Sequence, residues 1–385
     1  MNRIIKFASL LAAAVMLISC GGEGTQGGGS IANKAFKLTA DKNLIQTFDG
    51  DYATLTVTLD GVPVTEGVTF FDGNNKVMDI VDFKFSATKV GEYKIWANYG
   101  TYNSETITIK AIDIAIPESP ADPKPASTDF KARVLLTEFT TVGCSACPAM
   151  KTIIHDVAAD AAVADKFVMT ECHSGLVNGV ADPCYLHDRS FEDFCMISAF
   201  PTVKLGLTTT LTDRAALKST INALQAELDK VAPGIAVNAK LENDKVVAKV
   251  TVKAKVASAY RVGAFLLEDG IYAKQTNASA DWMHNHDNVI RYVDAQYKTT
   301  FYGTPVAEIA AGETADTMLS WVLEDIWAYG TEKGEINGGI AWPARNNDKL
   351  HMVVFVSMSD GFGGYQVVNA IDCPINGVTP FEYKL

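Results

Sequence analysis

Apolar and polar residues alternate along the first part of the chain in the way that half-buried β-strands require. In residues 54–59 and 106–109 threonines alternate with leucine, valine or isoleucine, and turn signals such as Asp-Gly and Tyr-Gly separate the runs. Short strands with regular turns predict a β-sandwich over residues 34–112, with Trp96 in its interior. The simplest role for such a segment is that of a spacer without a ligand of its own.

The pattern changes twice after this segment. Residues 113–130 hold four prolines among polar residues and predict an extended linker. Residues 131–232 combine short apolar strands with apolar residues at helical spacing, which predicts an α/β domain. Alternation returns in residues 233–385 and predicts an antiparallel β-sandwich. The expected fold is therefore multidomain, β followed by α/β followed by β.

Composition supports a folded chain and excludes one class of partner. The 385 residues are 48% hydrophobic and 20% charged, which is typical of globular proteins. The formal net charge is −12 and no long basic run occurs, so nothing in the sequence would attract a phosphate backbone. We therefore do not expect nucleic acid as a partner.

The N-terminus indicates export. Residues 1–20 contain two basic residues and then an apolar run too short for a membrane span, and they end at Leu-Ile-Ser-Cys. This ending resembles the bacterial lipobox, which implies cleavage before Cys20 and acylation of that cysteine; an ordinary secretory signal is the alternative. The glycine-rich residues 21–33 predict a flexible tether. We expect a protein anchored by lipid in the outer membrane. The sequence does not decide between the periplasmic and the surface-facing side of that membrane.

A Cys-x-x-Cys motif supplies the main candidate chemistry. Cys144 and Cys147 lie where an apolar strand gives way to a helix, and the free N–H groups of a helix start favour a thiolate. Cys144 would be the nucleophile and Cys147 the resolving thiol. A static disulfide that clips a loop is the alternative.

Two further residues strengthen a resemblance to thioredoxin-like proteins. Glu138, six residues before Cys144, matches the buried acid of that family, and the segment Ala-Phe-Pro201-Thr-Val resembles its cis-proline element. The resemblance implies that Glu138 moves the proton of Cys147 and that Pro201 presents backbone to a bound peptide. An exposed or ion-paired strand residue is the alternative for Glu138. Gly143 departs from the family, which usually has tryptophan there.

The first and last parts of the chain carry wider resemblances. Residues 91–109 resemble the last hairpin of immunoglobulin-like modules, so the N-terminal sandwich is expected to be immunoglobulin-like. Residues 131–385 resemble outer membrane lipoproteins related to a 28 kDa outer membrane protein of the Bacteroidetes, through EFTTVGCSACP, AFPTV, HNHDNVIRYV and YQVVNAID. That family implies an envelope location and an adhesin- or receptor-like surface role.

The remaining cysteines favour one further disulfide. A helix over residues 185–197 would hold Cys184 and Cys195 about 16 Å apart, too far for a bond. We predict a Cys172–Cys184 disulfide across the inserted segment, while Cys195 and Cys373 either pair or stay as buried thiols.

No metal or soluble cofactor is expected. A zinc site that combines the Cys-x-x-Cys with Cys172 and His173 is possible by residue type but lacks a second short spacing. The alternating His284 and His286 fit a polar loop better than a metal site.

Two functions stay open. One is thiol-disulfide exchange with envelope proteins through Cys144 and Cys147. The other is a non-catalytic surface lipoprotein that uses the α/β fold as a scaffold and binds surface ligands through its β domains.

Overall fold

The computed structural model describes residues 35–336 and 341–384, without the side chains of residues 333–336. The predicted signal peptide, Cys20 and the whole predicted tether lie outside the described residues, so these expectations stay predictions.

The N-terminal segment folds as two β-sheets with a shared core. Alternating side chains of both sheets, including Leu55, Ile95 and Ile109, fill the space between them. One sheet has the order β1-β3-β4 with β6 beside β3, and the other has the order β2-β9-β7-β5 with β8 beside β7. The strands are β1 Phe36–Ala40, β2 Leu44–Gln46, β3 Ala53–Leu59, β4 Val62–Pro63, β5 Thr69–Asp72, β6 Lys84–Phe85, β7 Gly91–Tyr99, β8 Tyr102–Asn103 and β9 Ile107–Ile112.

Trp96 does not lie in the core, which corrects the sequence prediction. Its neighbours Ile95 and Ala97 are fully buried and face inward. Trp96 lies between them in the strand and is half-buried, with its ring stacked on Phe71 at a centroid distance of 4.3 Å. Aromatic content alone did not reveal which face of the strand points inward.

The α/β segment follows the predicted order of strands and helices. Val134 and Leu136 face helices α1 and α3 in one core, while Leu135 and Phe139 face the opposite core. The helix predicted over residues 185–197 is much shorter. The elements are β10 Val134–Thr140, α1 Cys147–Ala159, β11 Phe167–His173, α2 Ser190–Phe194, β12 Thr202–Leu205, β13 Thr209–Thr210 and α3 Leu217–Leu228.

The C-terminal segment is rich in long antiparallel strands. The alternation predicted in residues 233–385 corresponds to long strands, among them β15, β16, β22 and β23. The elements are β14 Gly234–Glu242, β15 Lys245–Lys253, β16 Ser258–Glu268, β17 Ile271–Tyr272, β18 Asn285–His286, β19 Val289–Asp294, β20 Thr304–Ile309, β21 Thr314–Val322, α4 Leu323–Ile336, β22 Leu350–Ser359, β23 Tyr365–Pro374 and β24 Gly377–Thr379.

One sheet crosses the boundary that the sequence placed between residues 232 and 233. Its order is β13-β12-β10-β11-β19-β16-β22-β23, with β20 beside β16, and we call it the central sheet. The crossing point is the parallel pair β11 and β19, where Glu171 faces Val289. The predicted separation of the α/β domain from the C-terminal sandwich is therefore corrected, because the two segments share this sheet. Local periodicity identifies strands but not their partners in the sheet.

A second sheet completes the C-terminal sandwich. It has the order β21-β15-β14-β24 and packs on the C-terminal half of the central sheet through a large apolar core. The core includes Val250, Leu266 and Val354, all fully buried.

Residues 113–130 lie along this second sheet instead of forming a free linker. The buried Lys253 donates to Asp122 Oδ2 at 2.8 Å and to the carbonyl of Pro125 at 2.6 Å. The side-chain amide of Asn238 donates to the carbonyl of Glu118 at 2.8 Å. The predicted extended segment is thus extended but fixed to the sheet by hydrogen bonds.

Among the described helices, none combines the length and the apolar character that crossing a bilayer requires.

Candidate functional site

The two cysteines of the motif lie in the loop between β10 and α1 and at the start of that helix. β10 ends at Thr140, and α1 begins at Cys147 with Pro148 in its first turn. Cys144 and Cys147 form a disulfide in the structure. Cys144 is 6% exposed and Cys147 2%, whereas Ser145 between them is exposed. The predicted placement at a strand-to-helix turn is therefore what the structure has, and both cysteines are buried.

The inserted segment between β11 and α2 covers one side of this loop. Asn178 donates from its side-chain amide to the carbonyl of Gly143 at 3.0 Å, and the Val142 N–H donates to Asp182 at 2.8 Å. A Cβ on Gly143 would lie 2.2 Å from the carbonyl oxygen of Val177. The packing of the insertion therefore requires glycine at position 143.

A segment of the C-terminal half covers the other side. The side-chain amide of Gln275 donates to the carbonyl of Cys144 at 3.0 Å, and that of Asn277 donates to the carbonyl of Ser145 at 3.0 Å. The Thr276 N–H donates to the Val142 carbonyl at 2.8 Å. Both covering segments bond the backbone of the loop, so they fix its path. No local signal in the sequence pointed to Gln275.

Glu138 is buried on the face of the central sheet that α1 covers. Strand alternation places it on the same side as Val134 and Leu136, which pack against α1. It is 1% exposed, and its Oε1 atom has no hydrogen-bond partner within the described chain. Burial, and then the negative charge of Glu171 on the neighbouring strand, raise the pKa of Glu138 to about 8. The carboxyl group is therefore mostly protonated at neutral pH, and the alternative of an exposed or ion-paired Glu138 does not hold.

A buried charged network lies beside Glu138. Burial alone would lower the pKa of His173, but Asp182 and Glu171 raise it to about 9. Its Nδ1 lies 2.9 Å from Asp182 and its Nε2 lies 3.2 Å from Glu171. Burial would raise the pKa of Glu171, but Lys151 and hydrogen bonds from His173 and His286 hold it well below its usual range. Two acids are thus ionised here while Glu138 stays neutral.

Pro201 lies at the same end of the central sheet as the disulfide. β12 begins directly after it, and Thr202 pairs with Phe139 near the carboxyl end of β10. The peptide bond between Phe200 and Pro201 is cis, and Pro201 is half-buried. Sheet register thus places Pro201 at the end of the central sheet where the loop of Cys144 and Cys147 leaves β10, the strand that carries Glu138.

The predicted Cys172–Cys184 disulfide is absent, and all four remaining cysteines are buried free thiols. Cys172 and His173 are adjacent in β11, so their side chains point to opposite faces. Cys172 packs in a core with Cys195, whereas the sulfur of Cys184 lies within 4.8 Å of a ring nitrogen of His173. Short sequence spacing suggested a bond that strand alternation forbids.

A cavity of about 620 Å³ lies where the N-terminal sandwich, the insertion and the C-terminal segment meet. Its walls are mostly apolar and include Trp321, Trp342, Tyr292 and Phe191. The buried guanidinium of Arg291 lies 4.6 Å from the ring centre of Trp342. No sequence pattern pointed to this cavity, because its walls come from distant segments.

The described structure is that of a β-rich protein with several sheets and a disulfide at a strand-to-helix turn. No family model and no curated protein matches the chain, so membership of the Bacteroidetes lipoprotein family stays a prediction. Among solved structures, HBP35 of Porphyromonas gingivalis is 18% identical with a TM-score of 0.45, over 64% of this chain and 76% of that one. Protein AGR_C_4864 from Agrobacterium tumefaciens is 13% identical with a TM-score of 0.38, over 65% of this chain and 97% of that one. At this level of similarity neither neighbour assigns a function.

Proposed function

We propose that the protein exchanges thiols and disulfides with other envelope proteins, through Cys144 and Cys147 in a thioredoxin-like part of the chain. The observation that carries the proposal is the buried, neutral Glu138 beneath the helix whose first residue is Cys147. An acid with a pKa near the ambient pH can both accept and donate a proton. A disulfide that served only to clip a loop would not need such a group.

In the reduced protein, the Cys144 thiolate attacks a disulfide of the partner and forms a mixed disulfide, while one partner sulfur leaves as a thiolate. The ionised fraction of Glu138 takes the proton of Cys147, and the Cys147 thiolate then attacks the Cys144 sulfur. This step forms the Cys144–Cys147 disulfide and releases the second partner sulfur. Two electrons pass to the partner disulfide, and a dithiol protein must reduce the disulfide again.

The exposed residues of the motif define where a partner would approach. Ser145 and Ala146 are exposed, although the cysteines on either side are buried. Pro201 is half-buried at the same end of the sheet. Because only this small part of the loop is exposed, an extended peptide segment of the partner can reach the cysteines more readily than a rigid protein surface can. The lipid anchor predicted at Cys20 would hold the reaction at the outer membrane.

The test is disulfide turnover by the reduced protein, together with the alkylation rate of Cys144 as a function of pH. We expect Cys144→Ser to abolish turnover and Cys147→Ser to accumulate a mixed disulfide with the partner. Cys195→Ser, which removes a buried thiol in another core, is the matched control and should retain activity. A Cys144 thiol that titrates at about 8.5, as an unperturbed cysteine does, together with no turnover, would refute the proposal.

A second candidate is a non-catalytic surface protein of the adhesin or receptor type. The cavity of about 620 Å³ with its aromatic walls favours it, and so do the two segments that bond the Cys144 loop. In that case the disulfide only stabilises the fold. This candidate would be supported if Cys144→Ser were less stable than the wild type and the two proteins did not differ in exchange activity.

A further inference from the structure

Three buried side chains of metal-ligating type meet beside the disulfide loop, and they come from three separate segments. A ring nitrogen of His173, the sulfur of Cys184 and a ring nitrogen of His286 all lie within 4.8 Å of one another. Each residue is at most 1% exposed. β11, the inserted segment and β18 contribute one residue each. Within the described chain this is the one group of its kind.

We propose that His173, Cys184 and His286 bind a zinc ion. Two imidazoles and one thiolate are a donor set that Zn²⁺ prefers, with ligand bonds of about 2.0–2.3 Å. Donor atoms of a tetrahedral zinc site are separated by roughly 3.3–3.8 Å, so small side-chain rotations would close the present spacing. The site is distinct from the zinc arrangement considered from the sequence, because neither Cys172 nor the Cys144–Cys147 pair takes part.

The surroundings of the two rings match those of metal-binding histidines. Such histidines usually donate their second ring N–H to a carboxylate or a backbone carbonyl, which fixes the ring orientation. Asp182 accepts from Nδ1 of His173 at 2.9 Å and Glu171 from Nε2 at 3.2 Å, so either nitrogen can bind the metal while the other stays bonded. For His286, the carbonyl of Ala273 lies 3.3 Å from Nε2.

Charge around the site also favours a divalent cation. The carboxylates of Asp182 and Glu171 are both buried beside the site, where their negative charges favour a cation. Lys151 is the neighbouring cation, with Nζ 3.3 Å from Nδ1 of His286 and 2.8 Å from the carbonyl of Asn285. Binding through Nδ1 of His286 would displace the ammonium group toward that carbonyl. Zinc would replace protons on the histidine and cysteine ligands, so the buried charge stays balanced.

Two carboxylates and two histidines in a buried cluster would otherwise be explained as an ion-pair network. That explanation does not account for Cys184, whose thiol lies next to both rings and is 0% exposed. Substitution of Cys184 therefore distinguishes a zinc site from an ion-pair network.

The experiment measures zinc bound by the whole chain in its oxidised form, so that Cys144 and Cys147 cannot contribute thiolates. We expect one Zn²⁺ per chain after equilibrium dialysis against micromolar ZnCl₂. We expect Co²⁺ to give the near-ultraviolet sulfur-to-metal band and the visible bands of a tetrahedral site. Cys184→Ser and His286→Gln should each weaken zinc binding at least tenfold, and Cys184→Ser should also abolish the sulfur-to-metal band. Cys373→Ser, which removes a buried thiol of another core, should change neither.

Thermal unfolding with and without zinc keeps the test decisive if a variant is unstable. Zinc should raise the unfolding temperature of the wild type and of Cys373→Ser, but not that of Cys184→Ser. Failure of the wild-type protein to bind zinc would overturn the proposal. So would binding that persists unchanged in Cys184→Ser, or binding that occurs only after reduction of the Cys144–Cys147 disulfide.

Discussion

The neutral state of Glu138 has a direct consequence for the pH dependence of stability. Its pKa is about 8 in the folded protein, against 4.5 as the ordinary value. Between these two pH values the folded protein holds a proton that the unfolded chain has lost. The free energy of unfolding must therefore fall as pH rises through this window, and one such proton changes it by about 1.4 kcal/mol per pH unit.

We predict that Glu138→Gln removes this loss. From pH 5.5 to pH 7.5 the wild-type protein should lose about 3 kcal/mol more stability than the variant. The amide has nearly the same shape as the protonated acid and cannot ionise, so the variant should fold. The pKa values of His173 and His351 are raised to about 9, and their contributions are lost as pH rises from about 6.5 toward 9. Both groups are present in both proteins, so their effect cancels in the difference.

The assay is urea unfolding of the oxidised protein at pH 5.5, 6.5 and 7.5, followed by tryptophan fluorescence. Glu66→Gln is the matched control, because Glu66 is exposed. It should follow the wild type at every pH. Parallel stability curves for the wild type and Glu138→Gln would show that Glu138 is ionised in the folded protein, and the proton-transfer role would lose its basis.

Two further substitutions test the packing around the site and the C-terminal sheet. Gly143→Ala places a Cβ 2.2 Å from the Val177 carbonyl oxygen, so it should lower the free energy of unfolding by about 1–3 kcal/mol. Because the insertion must move away from the loop, dithiothreitol should also reduce the Cys144–Cys147 disulfide faster. An unchanged reduction rate would show that the insertion does not protect the disulfide. Arg291 is fully buried and donates to Glu268 at 2.8 Å, so Glu268→Gln leaves it without its counter-charge. The free energy of unfolding in urea should fall by about 3–5 kcal/mol. A loss of stability no larger than that of Glu66→Gln would contradict this prediction.

Local features of the fold could be predicted from the sequence. Apolar spacing identified α1 and α3, and alternation identified β3, β9 and β15, because each pattern reflects the period of one element. The Cys-x-x-Cys motif and Glu138 could likewise be assigned to a strand and a helix start. These predictions needed no knowledge of distant contacts.

Features that depend on partners could not be predicted. The pairing of β11 with β19 joins residues 171 and 289, and no local pattern encodes it. Cys172 and Cys184 looked close in sequence, but their side chains lie on different sides of the sheet. The insertion and Gln275 cover the disulfide loop through backbone hydrogen bonds, which any amide side chain can make. The sequence shows the alternating His284 and His286, but His286 is buried and His284 is not, and only the structure shows which ring faces inward.

The continuity of the central sheet also affects how the molecule is made. The strand that carries Glu138 is synthesised early, while β23, the far edge of the same sheet, ends at Pro374. A chain interrupted after residue 232 would expose the outer edge of β11, and an unpaired edge recruits strands from other molecules. Productive folding must therefore wait until almost the whole polypeptide is available, and contacts of such long range form slowly. A chain of this design depends on staying unfolded until its last strands are available.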